Sequence, residues 1–222
     1  MPYVPIAVLA SGRGSNLKAL MDALGAGAPG RVALVVSDRP NAAALDRARE
    51  AGIPALHVAA DDADGLLAAL SGNGIGLVVL AGYLKRVPDT VTAAYRGRIL
   101  NVHPALLPAF GGPGMYGARV HEAVLASGAR VSGATVHVVD EQYDRGPIVA
   151  QWPVPVRPGD TPDSLAARVL AIEHRLLPAA TIAFCRCLAA GATPPAALAA
   201  AADAFVLAAT PENHLDHALV PA

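Results

Sequence analysis

Ile6-Ala7-Val8-Leu9-Ala10-Ser11-Gly12-Arg13-Gly14-Ser15-Asn16-Leu17-Lys18-Ala19-Leu20 is the stretch from which the rest of the chain can be read. Its first five residues are apolar and rich in strand formers, short enough for a buried strand. Two glycines follow, and from Leu17 to Leu24 the apolar positions recur with helical spacing. Strand, glycine-rich turn and helix in that order open an α/β domain of nucleotide-binding type. The turn is not a dinucleotide fingerprint, because Leu17 stands where the third glycine of G-x-G-x-x-G belongs. Nor is it a Walker loop, since no Gly-Lys-Ser/Thr follows. Glycines let backbone approach a ligand and the helix start offers unpaired N–H groups, so a monophosphate on a small substrate suits the turn. The plainer reading of the same residues is a tight turn with Ser15 or Asn16 as a helix cap.

The alternation continues outward. Strands are expected at Arg31–Ser37, Ala55–Val58, Leu77–Ala81 and Arg98–Val102. Helices are expected at Asn41–Ala51, Asp61–Leu70 and Pro88–Tyr95, the last with Pro88 suited to a first turn. Leu107–Gly117 is rich in glycine and proline and long for a compact domain, which marks it as a functional loop. A helix at Arg119–Ser127 precedes two strands, Ala134–Val139 and Ile148–Val156, which no helix separates and which should pair antiparallel. A long helix capped by Thr161 or Asp163 runs to about Ala190, with Pro178 as a candidate kink. The fold class is therefore α/β, a Rossmann-like, mostly parallel open sheet with helices on both faces and an antiparallel pair among its last strands. Residues 1–190 read as one catalytic domain and 191–222 as an Ala/Pro-rich extension.

Composition narrows the functions. With 54% hydrophobic and 16% charged residues the chain is globular, and at 222 residues it can bury a sizeable core. A net charge of −1 with no basic run argues against a nucleic-acid surface. Cys185 and Cys187 stand two apart in a helical pattern, so they do not face each other and read as free thiols. The start has no basic segment, and Ile6–Ala10 is too short for a signal core or a membrane span, which places the chain in the cytoplasm.

The chemistry concentrates between Asn101 and Asp144. Asn101 and His103 share one side of a strand end, where open α/β sheets bind ligands. A carboxamide can stabilise an oxyanion and an imidazole can move a proton. Asp144, in a turn before Arg145-Gly146-Pro147, would favour the imidazolium of His103 and raise its pKa. His137 reads as an inward strand residue without chemistry, with Asp140 close by. His121 and Glu122 have metal-ligand chemistry, yet no further ligands stand at coherent spacing, so no metal is expected. Glu173 and His174 by themselves read as a solvated helix face.

Together, SGRGSNL near the start, LAGYLKRV at 80–87, NVHPALLPAF at 101–110, the D-x-G-P turn at 144–147 and Glu173-His174 resemble the phosphoribosylglycinamide formyltransferases. The likeness runs from about Val4 to Leu188. It implies formyl transfer from 10-formyltetrahydrofolate, as co-substrate, to a glycinamide ribonucleotide, with small-molecule partners only, as a monomer or homodimer. The resemblance makes Asn101, His103 and Asp144 catalytic. It sets Gly14, Ser15, Asn16, Leu170 and Glu173 on the ribonucleotide, with Glu173 at the ribose hydroxyls. It sets Leu84, Lys85, Arg86, Val87, Asn101, Asp140 and Glu141 on the folate. Leu170 stands where some relatives carry a polar phosphate contact, so the phosphate grip rests more on the glycine turn. Other folate-dependent enzymes with the same Asn-His-Asp core, including a formyltetrahydrofolate hydrolase, are the alternatives. The glycine turn favours a phosphorylated acceptor over water.

Overall fold

The computed structural model describes residues 3–203. Side chains of β1 (Val4–Leu9) alternate between two cores, Ile6 and Val8 facing one and Ala7 and Leu9 the other. The strand is apolar on both faces because both are covered. Six strands join it: β2 (Gly30–Ser37), β3 (Ala55–His57), β4 (Leu77–Leu80), β5 (Ile99–His103), β6 (Val131–Val138) and β7 (Ile148–Pro155). They form one sheet in the order β3-β2-β1-β4-β5-β6-β7. The first five are parallel; β6 pairs antiparallel with β5 and with β7. The antiparallel relation thus begins one strand earlier than the expected β6–β7 pair. It does so although a helix lies between β5 and β6, so alternation alone does not give strand direction there.

α1 (Ser15–Ala23), α2 (Ala43–Glu50), α5 (Ala118–Ala126) and the long α6 (Pro162–Ala189) contribute to the first core. α3 (Ala63–Gly72) and α4 (Asp89–Ala94) contribute to the second. α6 continues past the buried Pro178 as one helix. Beyond it α7 (Pro194–Asp203) buries Ala197 and Ala201 in the first core. The start of the Ala/Pro-rich stretch is therefore a packed helix; residues 204–222 lie outside those described. Cys185 is buried, Cys187 is half-buried, and both are free. Burial pushes the Cys185 thiol up to about 12, so it is inert. Among the described residues no helix is long and apolar enough to cross a membrane.

Helix starts separate structure from site. α3 is capped by Asp62, whose side chain accepts from Gly65 N at 2.8 Å, and α6 carries a Thr161/Ser164 capping box. α1 has no side-chain cap: its N-cap is Gly14, at φ 71°, and neither Ser15 nor Asn16 serves. A Cβ on Gly14 would lie 2.9 Å from the Ala44 backbone. Only glycine fits the turn, and the first N–H groups of α1 stay open.

Candidate active site

The carboxyl ends of β1, β4 and β5 open into a cavity of about 710 Å³. That is the range of small-molecule sites. Gly14, Ser15 and Asn16 line it at the glycine turn, and Leu170 and Glu173 line it from α6. Leu84, Lys85, Arg86 and Val87 line it after β4, and Asn101, His103, Asp140 and Asp144 line it as well. Glu141 is not on the wall. Its side chain pairs with Arg96 and its carbonyl accepts from Arg86 Nη2 at 3.1 Å, which fastens the loop from outside. Ser11 ties two parts of the wall together, its hydroxyl accepting from Leu84 N at 2.9 Å.

Strand register explains the centre. Asn101 of β5 stands opposite His137 of β6, and His103 opposite Thr135. Directly opposed side chains on one face touch. Asn101 Nδ2 lies 3.0 Å from His137 Nε2, while His137 Nδ1 donates to its neighbour's carbonyl, Val138 O, at 3.0 Å. That leaves Nε2 of the neutral ring bare, so it accepts from the Asn101 amide, whose second N–H is left for a ligand. His137 therefore belongs to the site, contrary to its reading as a residue without chemistry. Only pairing register reveals this.

Asp144 reaches both histidines. Its Oδ2 is 3.6 Å from His103 Nδ1 and its Oδ1 is 3.6 Å from His137 Nε2. Oδ2 also accepts from Gly112 N at 2.8 Å. His103 Nε2 donates to Phe110 O at 2.8 Å. Phe110 and Asp144 are the non-glycine residues with positive φ among the described residues, at 56° and 53°. Such geometry costs energy and clusters at functional sites; here both strained residues hold His103. Thr135 braces the same loop, donating to Ala105 O at 2.6 Å and accepting from Leu107 N at 3.0 Å.

The expected charge on His103 is corrected. Its side chain is only 4% exposed, and that burial pulls the pKa below 6.5; the Asp144 carboxylate and the Phe110 carbonyl raise it, but by less. His137 is lowered chiefly by burial too, and so is His121, which lines the cavity and has a buried Nδ1 without a partner. In all three rings burial thus favours the uncharged form.

Glu173 is likewise not on a solvated face. It is 8% exposed, its Oε2 accepting from Asn16 Nδ2 at 2.7 Å, because α6 packs on α1. Burial raises its pKa, against the lowering effect of the Asn16 bond. Among the described residues no group of three or more His, Cys, Asp or Glu is arranged to hold a metal ion.

Residues 4–181 match the formyl transferase family, and the chain belongs to it. Its relatives narrow that class. The phosphoribosylglycinamide formyltransferase of Mycobacterium tuberculosis is 44% identical over 185 residues, covering 80% of this chain and 83% of that one. The chloroplastic enzyme of the same name from Arabidopsis thaliana is 46% identical over 180 residues, 77% of this chain. This chain spans 62% of the plant protein's length. The crystal structure of glycinamide ribonucleotide transformylase 1 from Symbiobacterium toebii superposes with a TM-score of 0.78 at 43% identity, covering 83% of this chain and 88% of that one. The chain is thus a member of the phosphoribosylglycinamide formyltransferase family.

Proposed function

We propose that this chain transfers the formyl group of 10-formyltetrahydrofolate to the amine of 5-phosphoribosylglycinamide, a step of purine biosynthesis, in a reducing cytoplasm that suits its two free thiols. The observation that carries the reading is the meeting of Asn101, His103, His137 and Asp144 on the wall of one cavity. The same cavity is lined by an uncapped helix start and, joined to it through Ser11, by the Leu84–Val87 segment. The acceptor's phosphate belongs at Gly14, Ser15 and Asn16, with its ribose hydroxyls at Glu173. The folate belongs along Leu84–Val87 and Asp140. Both substrates then bring their reacting ends to Asn101.

Attack of the amine on the formyl carbon turns the carbonyl oxygen into an oxyanion. The free N–H of Asn101, aimed by His137, donates to it, a contribution worth on the order of a hundredfold to a thousandfold in rate. Neutral His103 accepts the proton released by the new ammonium at Nδ1, directly or through water. The resulting imidazolium lies between Asp144 and Phe110 O, adds a second charge beside the oxyanion, and passes its proton to the departing folate nitrogen. The bond from that nitrogen to the formyl carbon breaks, leaving formylated amine and tetrahydrofolate.

The deciding measurement is steady-state turnover with both substrates, beside a control lacking the ribonucleotide. Product formation only with the ribonucleotide is expected; turnover in the control would mean a hydrolase. His103→Ala should lose on the order of a hundredfold or more in kcat while still binding folate. Near-normal turnover would remove His103 from the proton path.

A further inference from the structure

We propose that Arg13 and Arg47 form a guanidinium pair that grips the phosphate of the acceptor and sets the preference for a phosphorylated over an unphosphorylated amine. This rests on the acceptor assignment above and adds the charge that the assigned contacts lack. The N–H groups of α1 offer hydrogen bonds but only the partial charge of a helix end. Across the cavity α6 contributes Asp163, Ala166, Ala167 and Leu170 to the wall, none of them a cation. Lys18 is committed to Asp22 at 2.7 Å. Of the cations after β4, Arg86 is bound to Asp89 and to the carbonyl of Glu141, and Lys85, on the cavity wall without a partner among the described residues, belongs to the segment assigned to folate. A phosphate at the glycine turn would be under-neutralised by these groups.

Arg13 sits within the turn and lines the cavity. Among the described residues its guanidinium makes no hydrogen bond and no ion pair, and its carbonyl accepts from Arg47 Nε at 2.8 Å. Arg47 reaches the turn from α2, its Cδ 3.3 Å from where a Cβ on Gly14 would lie, and it lines a neighbouring recess with Lys18 and with Ser15, the residue that this recess shares with the cavity. One N–H of Arg47 thus holds the turn, and its terminal nitrogens have no partner among the described residues. A guanidinium keeps further donors in a planar fork after making one bond, and that fork matches phosphate oxygens. Neighbouring carboxylates do not quench it: Asp22 holds Lys18 and Asp46 holds Arg49.

The test compares wild type with R13A, R47A, the double variant and R47K, all checked for folding by thermal melting. The acceptors are phosphoribosylglycinamide and its dephosphorylated riboside. Each alanine variant should raise KM for the phosphorylated amine about tenfold, the value of one charged hydrogen bond. The riboside, kcat and KM for folate should change less than about twofold, within scatter for a group that does not touch them. Inorganic phosphate should bind the variants more weakly in direct titration, and R47K, which keeps the charge but loses the fork and the Nε bond to Arg13 O, should retain only part of the preference. An unchanged ratio between the two amines, or equal losses on both, would make the arginines a brace and overturn the proposal. The phosphate titration needs no turnover: weaker binding in the variants supports the pair even if the formyl-transfer reading fails, and equal binding refutes it even if that reading holds.

Discussion

His103 is held by opposing influences. Burial strips water from the ring and favours its neutral form, while Asp144 and Phe110 O favour the cation and are outweighed. In the proposed reaction the neutral form acts first. The kcat/KM for folate should therefore rise with pH along an acid limb whose midpoint lies below 6.5, then level off; a midpoint above 6.5 would contradict the assignment. Asp144→Asn keeps a residue that tolerates positive φ and can still accept from Gly112. Removing the carboxylate removes a charge that raises the pKa of His103. The limb should move to still lower pH, with kcat falling on the order of a hundredfold to ten-thousandfold. An unmoved limb would show that the 3.6 Å approach carries no coupling.

β6 and the turn after it deliver both His137 and Asp144, so the site depends on how that element closes. Gly146 makes the return to β7 feasible: a Cβ there would lie 1.8 Å from Val138 O. Gly146→Ala should cost about 3 kcal/mol or more, read as a fall in the urea midpoint, with activity lost alongside because Asp144 moves. Gly12→Ala is the contrasting case, since nothing stands within 4 Å of its added Cβ and its φ is not positive. It should change stability by less than about 0.5 kcal/mol. Equal costs at both positions would mean that the turn accommodates a side chain in a way this packing forbids.

Across the molecule the buried and half-buried titratable groups pull stability in opposite directions. His103, His121, His137 and His174 all have folded pKa values below 6.5. The unfolded chain binds protons there that the folded one refuses. Their contribution is complete above 6.5 and is lost as pH falls through the lower folded values. Glu173 has the reverse sign: its pKa is raised, so its contribution is present below 4.5 and is lost as pH rises through the folded value. Glu173→Gln should therefore melt at a higher temperature than wild type at pH 7.5, since the bond from Asn16 can be kept while the buried charge is removed. The same variant should raise KM for the ribonucleotide about tenfold. A lower melting temperature would mean that the Asn16 pair more than repays the desolvation.

Local patterns carried much of this protein by themselves. Apolar runs bounded by Gly and Pro located the strands and most helices, because a strand covered on both faces must be apolar throughout. Glycine placement at SGRGSN announced an open helix start. Asn101, His103 and Asp144 were legible as chemistry through residue type and their position at strand and turn ends. What the chain order did not carry was everything set by neighbours far along it. The pairing of β6 with β5 brings His137 against Asn101, packing of α6 on α1 buries Glu173, and burial of the ring in the cavity wall works against the charge expected on His103. Register, burial and dielectric surroundings are properties of the assembled sheet and its helices, and no segment of the sequence possesses them before folding.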